Sequence, residues 1–158
     1  MANPPPDDGA APDPKAQVPR VGVLRGAEHF TALLSGRPVS RTEHFAVYHR
    51  STNKLSTSTD NMQVQAVDGD PPGTGLVFGF VIPKRHAKRA VTRVAIRRQM
   101  RVAVARHRAG LAAGEWALRL RVPWNPKQFR SATSAGLVEA VRAELDALLL
   151  GAIARRTR

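Results

Sequence analysis

The chain contains no cysteine, which excludes disulfides and thiolate metal sites and suits a reducing compartment. It is poor in aromatic residues, with two Trp, one Tyr and five Phe, so the candidates for stacking on a base can be named one by one. Acid is scarce too: Asp and Glu number 12 against 25 Lys and Arg, a formal net charge of +13. Such an imbalance selects polyanionic partners, phosphate backbones ahead of anionic lipid. No run of eighteen apolar residues occurs, and the N-terminus lacks the basic-then-apolar order of a signal peptide. The expectation is a cytoplasmic protein with no membrane partner.

The few acids are badly placed for a protein nuclease, which would need clustered carboxylates around Mg²⁺ or a His acid–base pair. Asp7, Asp8 and Asp13 lie in the first twenty residues, Asp60, Asp68 and Asp70 in a polar loop, and Glu139, Glu144 and Asp146 on the last predicted helix. Glu28, Glu43 and Glu115 stand alone. His44 and His49 are five apart on a predicted strand, hence on opposite faces and unsuited to one metal. His86 and His107 flank a basic helix and read as RNA contacts or solvent groups. No catalytic residue and no metal-ligand set is visible.

What is present is enough chain for one domain with a real core. Residues 1–20 hold five Pro in the first fourteen positions and no periodic apolar pattern, so they read as a disordered Pro/Asp-rich extension. A domain over 21–150 and a basic C-terminal tail over 151–158, with Arg155, Arg156 and Arg158, complete the division. Within the domain, Ala27 to Leu34 predicts a helix with Phe30, Leu33 and Leu34 on one face and Gly36 as its stop. Residues 43–50 alternate as a strand, Phe45 and Val47 one way, Ala46 and Tyr48 the other. A polar loop over 51–74 carries at most a weak strand at Met62 to Val67, and the apolar run 75–82 suits a buried strand. A basic helix over roughly 88–108 is ended by Gly110 and Gly114. Trp116, Leu118, Leu120 and Val122 then face a core from a strand that turns Arg119 and Arg121 away. A helix over 134–150 has Leu137, Val141, Leu145, Leu148 and Leu149 on one stripe. Trp116 reads as core, and Trp124 as either an RNA contact or a loop anchor. The sum is a mixed α/β sandwich, one sheet with helices packed on it.

The basic helix dominates the functional reading. Between Lys84 and Arg108 there are ten Lys or Arg and no Asp or Glu. At about 100° per residue, Arg93, Arg97 and Arg101 form one inclined stripe that Arg108 extends. Val91, Ala95 and Val102, with Ala103 and Ile96 beside them, are expected to form the apolar back. Successive guanidiniums on the stripe stand about 6 Å apart along the axis, comparable to phosphate spacing in folded RNA. A solvated face is the ordinary reading of a charged helix, but such faces interleave Glu at i±4, and none occurs here. Phosphate binding is the reading that uses this pattern. An amphipathic membrane anchor fits less well, because the apolar residues are mostly Val and Ala.

Helix, sheet and basic stretch together resemble the protein subunit of bacterial ribonuclease P. That family carries Lys-Lys, a short spacer, then Ala-Val-x-Arg-Asn-x-x-Lys-Arg-x-x-Arg-Glu. The matching residues are Lys84-Arg85, the spacer His86 to Arg89, Ala90-Val91-Thr92-Arg93, Arg97-Arg98 and Arg101, preceded by the strand VFGFVIPKR. Leu24, Phe30, Gly36, Phe45 and Tyr48 follow the order of the family's first helix and next strand. The likeness covers about residues 22–150. Val94 stands where the family has Asn, and Val102 where it has an acid.

The resemblance implies an α+β sandwich of the ribosomal S5 domain 2-like type, order α-β-β-β-α-β-α, with a left-handed βαβ crossover. It implies RNA binding by Lys84, Arg85, Lys88, Arg89, Arg93, Arg97, Arg98 and Arg101, and contacts to the 5′ leader of precursor tRNA from Phe30, Leu34 and Tyr48. Phe30 would serve equally as plain core on an amphipathic helix. The implied partners are the ribonuclease P RNA, one protein copy per RNA, and precursor tRNA. The implied cofactor is Mg²⁺, held mainly by the RNA, which performs the hydrolysis. The alternative is a general RNA-binding or ribosomal-type protein with no part in tRNA cleavage.

Overall fold

A computed structural model describes residues 21–51, 75–125, 127 and 134–156. The expected extension over 1–20 and the weak strand at Met62 to Val67 lie outside the described residues. Five strands form one mixed sheet: β1 (Val21–Val23), β2 (Ser40–Arg41), β3 (Phe45–Arg50), β4 (Leu76–Val81) and β5 (Gly114–Leu120). Three helices accompany them: α1 (Ala27–Leu34), α2 (Ala90–His107) and α3 (Ala135–Arg156). The strand order is β1-β4-β5-β3-β2. β1 and β5 run parallel to β4, whereas β3 runs antiparallel to β5 and to β2. The fold is α+β.

Because successive strand residues face opposite ways, the alternation read from the sequence places a helix layer on each side. Phe45, Val47, Phe78, Trp116, Leu118 and Leu120 meet Ile96, Met100, Leu145 and Leu148 in the larger core, under α2 and α3. Ala46, Tyr48 and Ala117 meet Leu24 and Leu33 in a smaller core under α1, with Phe30, Leu34 and Val77 at its margin. Burial of each large side chain in the main core contributes about 1.5–3 kcal/mol. Gly114 opens β5 at φ 134°, where a Cβ would strike the backbone of Arg50 and Ser51, so glycine is required there.

The structure corrects the expected elements at several points. A strand not expected from the sequence, β1, precedes α1 and is three residues long, and β2 has only two; neither is long enough to show an alternation. α3 runs on to Arg156, so the residues read as a basic tail from 151 are mostly helix. Ala152 is buried and Ile153 packs on the core, and Arg155 Nη1 donates to Val39 O at 3.0 Å. β5 ends at Leu120, and Val122, expected in the core, is exposed.

Buried or half-buried carboxylates clamp the layers at three points. Glu115 on β5 is buried and takes Arg50 of β3 through Nη2 and Nε, and His29 of α1 at 2.8 Å. Glu144 of α3 accepts the His44 backbone N–H at 2.6 Å and meets His44 Nδ1 at 2.8 Å. The His44 ring stacks on Trp124 at 3.7 Å, which makes Trp124 a loop anchor. Asp146 of α3 holds Arg106 and His107 at the end of α2, so His107 is an internal partner rather than an RNA contact.

Phe30 crosses the small core onto Gly79 of β4. A methyl group built on Gly79 would overlap Phe30 Cε1 and Cζ and sit 3.0 Å from Leu24 Cδ2. Gly79→Ala is expected to push the Phe30 ring off the sheet and cost about 1–3 kcal/mol, read from the urea midpoint. An unchanged midpoint would show that α1 adjusts without loss.

Candidate nucleic-acid interface

α2 carries five arginines and no acid over eighteen residues. Its buried side consists of Ile96, Met100, Ala103 and Val104. This moves the apolar back by roughly a third of a turn from where the sequence put it. Val91 and Val102, expected inside, are 57% and 44% exposed, and Val94 is 66% exposed. Burial selects the larger Ile and Met, which reach the sheet, and leaves the valines outside beside α3.

The arginines divide into two kinds. Arg97, Arg98 and Arg101 are exposed and enter no ion pair among the described residues, so their guanidiniums face solvent unneutralised. Arg93, placed on the same stripe by spacing, is half-buried, and its Nη1 donates to Ala87 O and Lys88 O, each at 2.8 Å. It therefore ties the β4–α2 turn to the helix, and the exposed stripe starts one turn later. Arg106 is held by Asp146.

Lys84, Arg85, Lys88 and Arg89 are exposed in the turn before α2. Arg89 is the N-cap, no side chain caps the helix, and its first turn has no acid. Cations at the positive end of a helix dipole are unfavourable by roughly 0.3–1 kcal/mol each at the surface. The same geometry, unpaired N–H groups plus cationic side chains, attracts phosphate. Thus seven of the eight expected RNA-binding residues are exposed, four in the turn and three on α2, and Arg93 ties the two segments together.

The three residues expected to meet a leader also come together, on the opposite face of the sheet. Phe30 and Leu34 of α1 are half-buried against the cluster that contains Tyr48. Tyr48 is only 9% exposed, so little of it is open to a ligand. Among the described residues no group of three or more His, Asp or Glu is placed to hold a metal ion. No described helix is long and apolar enough to cross a membrane.

Two side chains have surroundings that the sequence does not reveal. Glu115, solitary in sequence, is the centre of the His29 and Arg50 pairing. Arg119 has its Nε buried with no hydrogen-bond partner among the described residues. Burial, together with repulsion from Arg85 and Arg119, holds the His86 imidazole below the ordinary histidine value. Strand alternation points Arg119 away from the main core, but only the register shows what it approaches.

The geometry defines an α+β protein with a dense cationic helix on one face of its sheet and a small aromatic cluster on the other. The family model described as Ribonuclease P matches residues 18–147. The Ribonuclease P protein component of Paraburkholderia xenovorans is 32% identical over 144 residues, covering 91% of this chain and 89% of the relative. That of Bordetella parapertussis is 32% identical over 134 residues, covering 85% of this chain and 94% of the relative. The solved RNase P protein of Staphylococcus aureus superposes with a TM-score of 0.55 at 15% identity, over 81% of this chain and 92% of that one, a likeness of fold. The chain belongs to the ribonuclease P protein family, the protein components of a tRNA-processing endoribonuclease.

Arg93→Ala should lower folding stability by about 1–2 kcal/mol through the lost carbonyl bonds. The double substitution Arg97→Ala and Arg101→Ala should leave the thermal midpoint unchanged or slightly raised. Equal destabilisation by both would show that the exposed stripe is structural.

Proposed function

We propose that this chain is the RNA-binding subunit of a cytoplasmic ribonuclease P ribonucleoprotein. In this reading α2 and the turn before it bind the catalytic RNA, and the α1 face receives the 5′ leader of precursor tRNA. One observation carries the proposal: Arg97, Arg98 and Arg101 are exposed and unneutralised on a helix whose back is fixed in the core, in a member of this family. Guanidinium forks bind phosphate oxygens in pairs, so a rigid array of them neutralises RNA backbone without ordering new chain. That lowers the magnesium needed to fold and use the RNA.

Chemistry on the scissile phosphate is assigned to the RNA subunit, with Mg²⁺ held mainly there. The placement of the acids among the described residues supports the assignment. Glu115 of β5 is engaged by His29 and Arg50, and on α3 Glu144 is engaged by His44 and Asp146 by Arg106 and His107. Glu28, Glu43 and Glu139 are exposed on three different segments. The protein's part is to bind, to orient and to discriminate precursor from product. On the α1 face, Phe30 and Leu34 offer an apolar floor against which unpaired bases can lie with little sequence preference.

The test is reconstitution with a bacterial ribonuclease P RNA at low magnesium. Addition of the protein should restore removal of the leader, and protein alone should cleave nothing. Stimulation absent over buffer would make this a general RNA-binding protein. Arg97→Ala with Arg101→Ala should weaken binding to the RNA subunit and reduce the slope of log affinity against log salt by roughly one per lost phosphate contact. An unchanged slope would remove these arginines from the interface.

A further inference from the structure

α2 and α3 pack side by side over the main core, and their outer edges leave an open groove of about 730 Å³. Val91, Val94 and Val102 of α2 and Val138 of α3 form its apolar floor, with Arg98 on one side and Arg142 on the other. The three α2 valines are exposed, and no acid lines the groove. Neither arginine enters an ion pair among the described residues. Branched hydrocarbon left in water beside unneutralised guanidiniums calls for an occupant that brings both carbon and negative charge. An RNA backbone supplies the charge but presents little hydrocarbon.

The chain itself contains a segment of that chemistry. Residues 1–14 read MANPPPDDGAAPDP, with five Pro, three Asp and no Lys or Arg. Proline rings and alanine methyls match a valine floor, and the fixed proline φ lowers the entropy lost on docking. Asp7, Asp8 and Asp13 bring the opposite charge. The route is short. Val21 of β1 pairs with Leu76 of β4, which in turn pairs with Gly114 of β5, so β1 starts at the sheet end to which α2 returns. α3 packs on β2 and β3, which leaves α2 on the side of β4 and the β1 edge. Crossing α2 takes about 10 Å, and its eighteen residues span about 27 Å. Asp13 and Asp8 precede Val21 by eight and thirteen residues, reaches of at most about 29 and 47 Å. The tether sets an effective concentration on the order of millimolar, so weak contacts suffice.

We propose that residues 4–14 seat in the α2–α3 groove of the free protein, prolines on the valine floor and Asp7, Asp8 and Asp13 against the arginines on its two sides. The segment keeps stray polyanions off α2 and leaves when RNA takes that surface. This second half rests on the reading of α2 as the RNA surface; the seat itself does not. Three carboxylates yield to a long phosphate backbone, whose binding releases many counterions at once. The segment therefore weakens RNA binding without preventing it.

Because the chain has no cysteine, Ala10→Cys gives a single thiol for a nitroxide label on the whole chain. Valine methyl signals then report the seat. Those of Val91, Val94 and Val102 should lose most of their intensity, and that of Val39, beside the last turn of α3, little. The loss at Val91 should vanish with Val94→Ser and Val102→Ser together, which leaves every charge in place. It should vanish equally with Asp7→Asn, Asp8→Asn and Asp13→Asn together. This triple variant should also bind a short RNA duplex about fivefold more tightly at low salt, the worth of a few exposed ion pairs. Even intensity across all valines, or a loss that survives both variants, overturns the seat. A loss transferred only between labelled and unlabelled chains overturns it too, and makes the occupant a second copy. Unchanged duplex affinity in the triple variant removes the competition. If bound duplex leaves the Val91 loss in place, the seat stands while the reading of α2 as the RNA surface falls.

Discussion

Everything on the basic side of this molecule depends on one packing contact, the insertion of Ile96, Met100, Ala103 and Val104 of α2 between the sheet and α3. Five arginines along one helix repel one another, and no acid on that helix offsets them. An isolated peptide of this composition would gain little from its charges and nothing from a cap. Tertiary burial supplies the stabilisation, at about 1.5–3 kcal/mol for each large side chain, and in doing so fixes the orientation of the exposed guanidiniums. The charge array is rigid because its opposite side is core.

The acidic residues complement this arrangement by where they are used. Glu115 joins α1, β3 and β5; Glu144 joins α3 to the segment entering β3; Asp146 joins α3 to the end of α2. Each sits where two or three elements meet, and Glu115 and Asp146 each take up an arginine charge. The surplus positive charge therefore collects on α2 and the turn before it.

Much of this is legible in the linear chain. The alternation at Phe45 to Tyr48 and at Trp116 to Leu120 assigns both faces of the sheet correctly, and the Ala27–Leu34 helix is found with its bounds. The buried side of α2 is not legible, because valines occur all round it and periodicity cannot rank Val91 and Val102 against Ile96 and Met100. Side-chain reach to a particular sheet decides that question. Arg93 spaces like a ligand residue but bends back to two turn carbonyls, a local contact invisible to a helical wheel. Cross-strand register, which brings Arg50 to Glu115 and sets Arg119 between Val81 and Ala46, exists only once the sheet is assembled. β1 and β2 are too short to carry any pattern.

The valines left outside have a consequence for the energetics of any complex formed on that surface. Val91, Val94 and Val102 alternate with Arg98 on the outer side of α2 and continue toward Val138 and Arg142 of α3. A macromolecule seated there would strip water from branched hydrocarbon as well as displace counterions. Its association would carry a negative heat-capacity change, and part of the affinity would survive in concentrated electrolyte, where ionic attraction has faded.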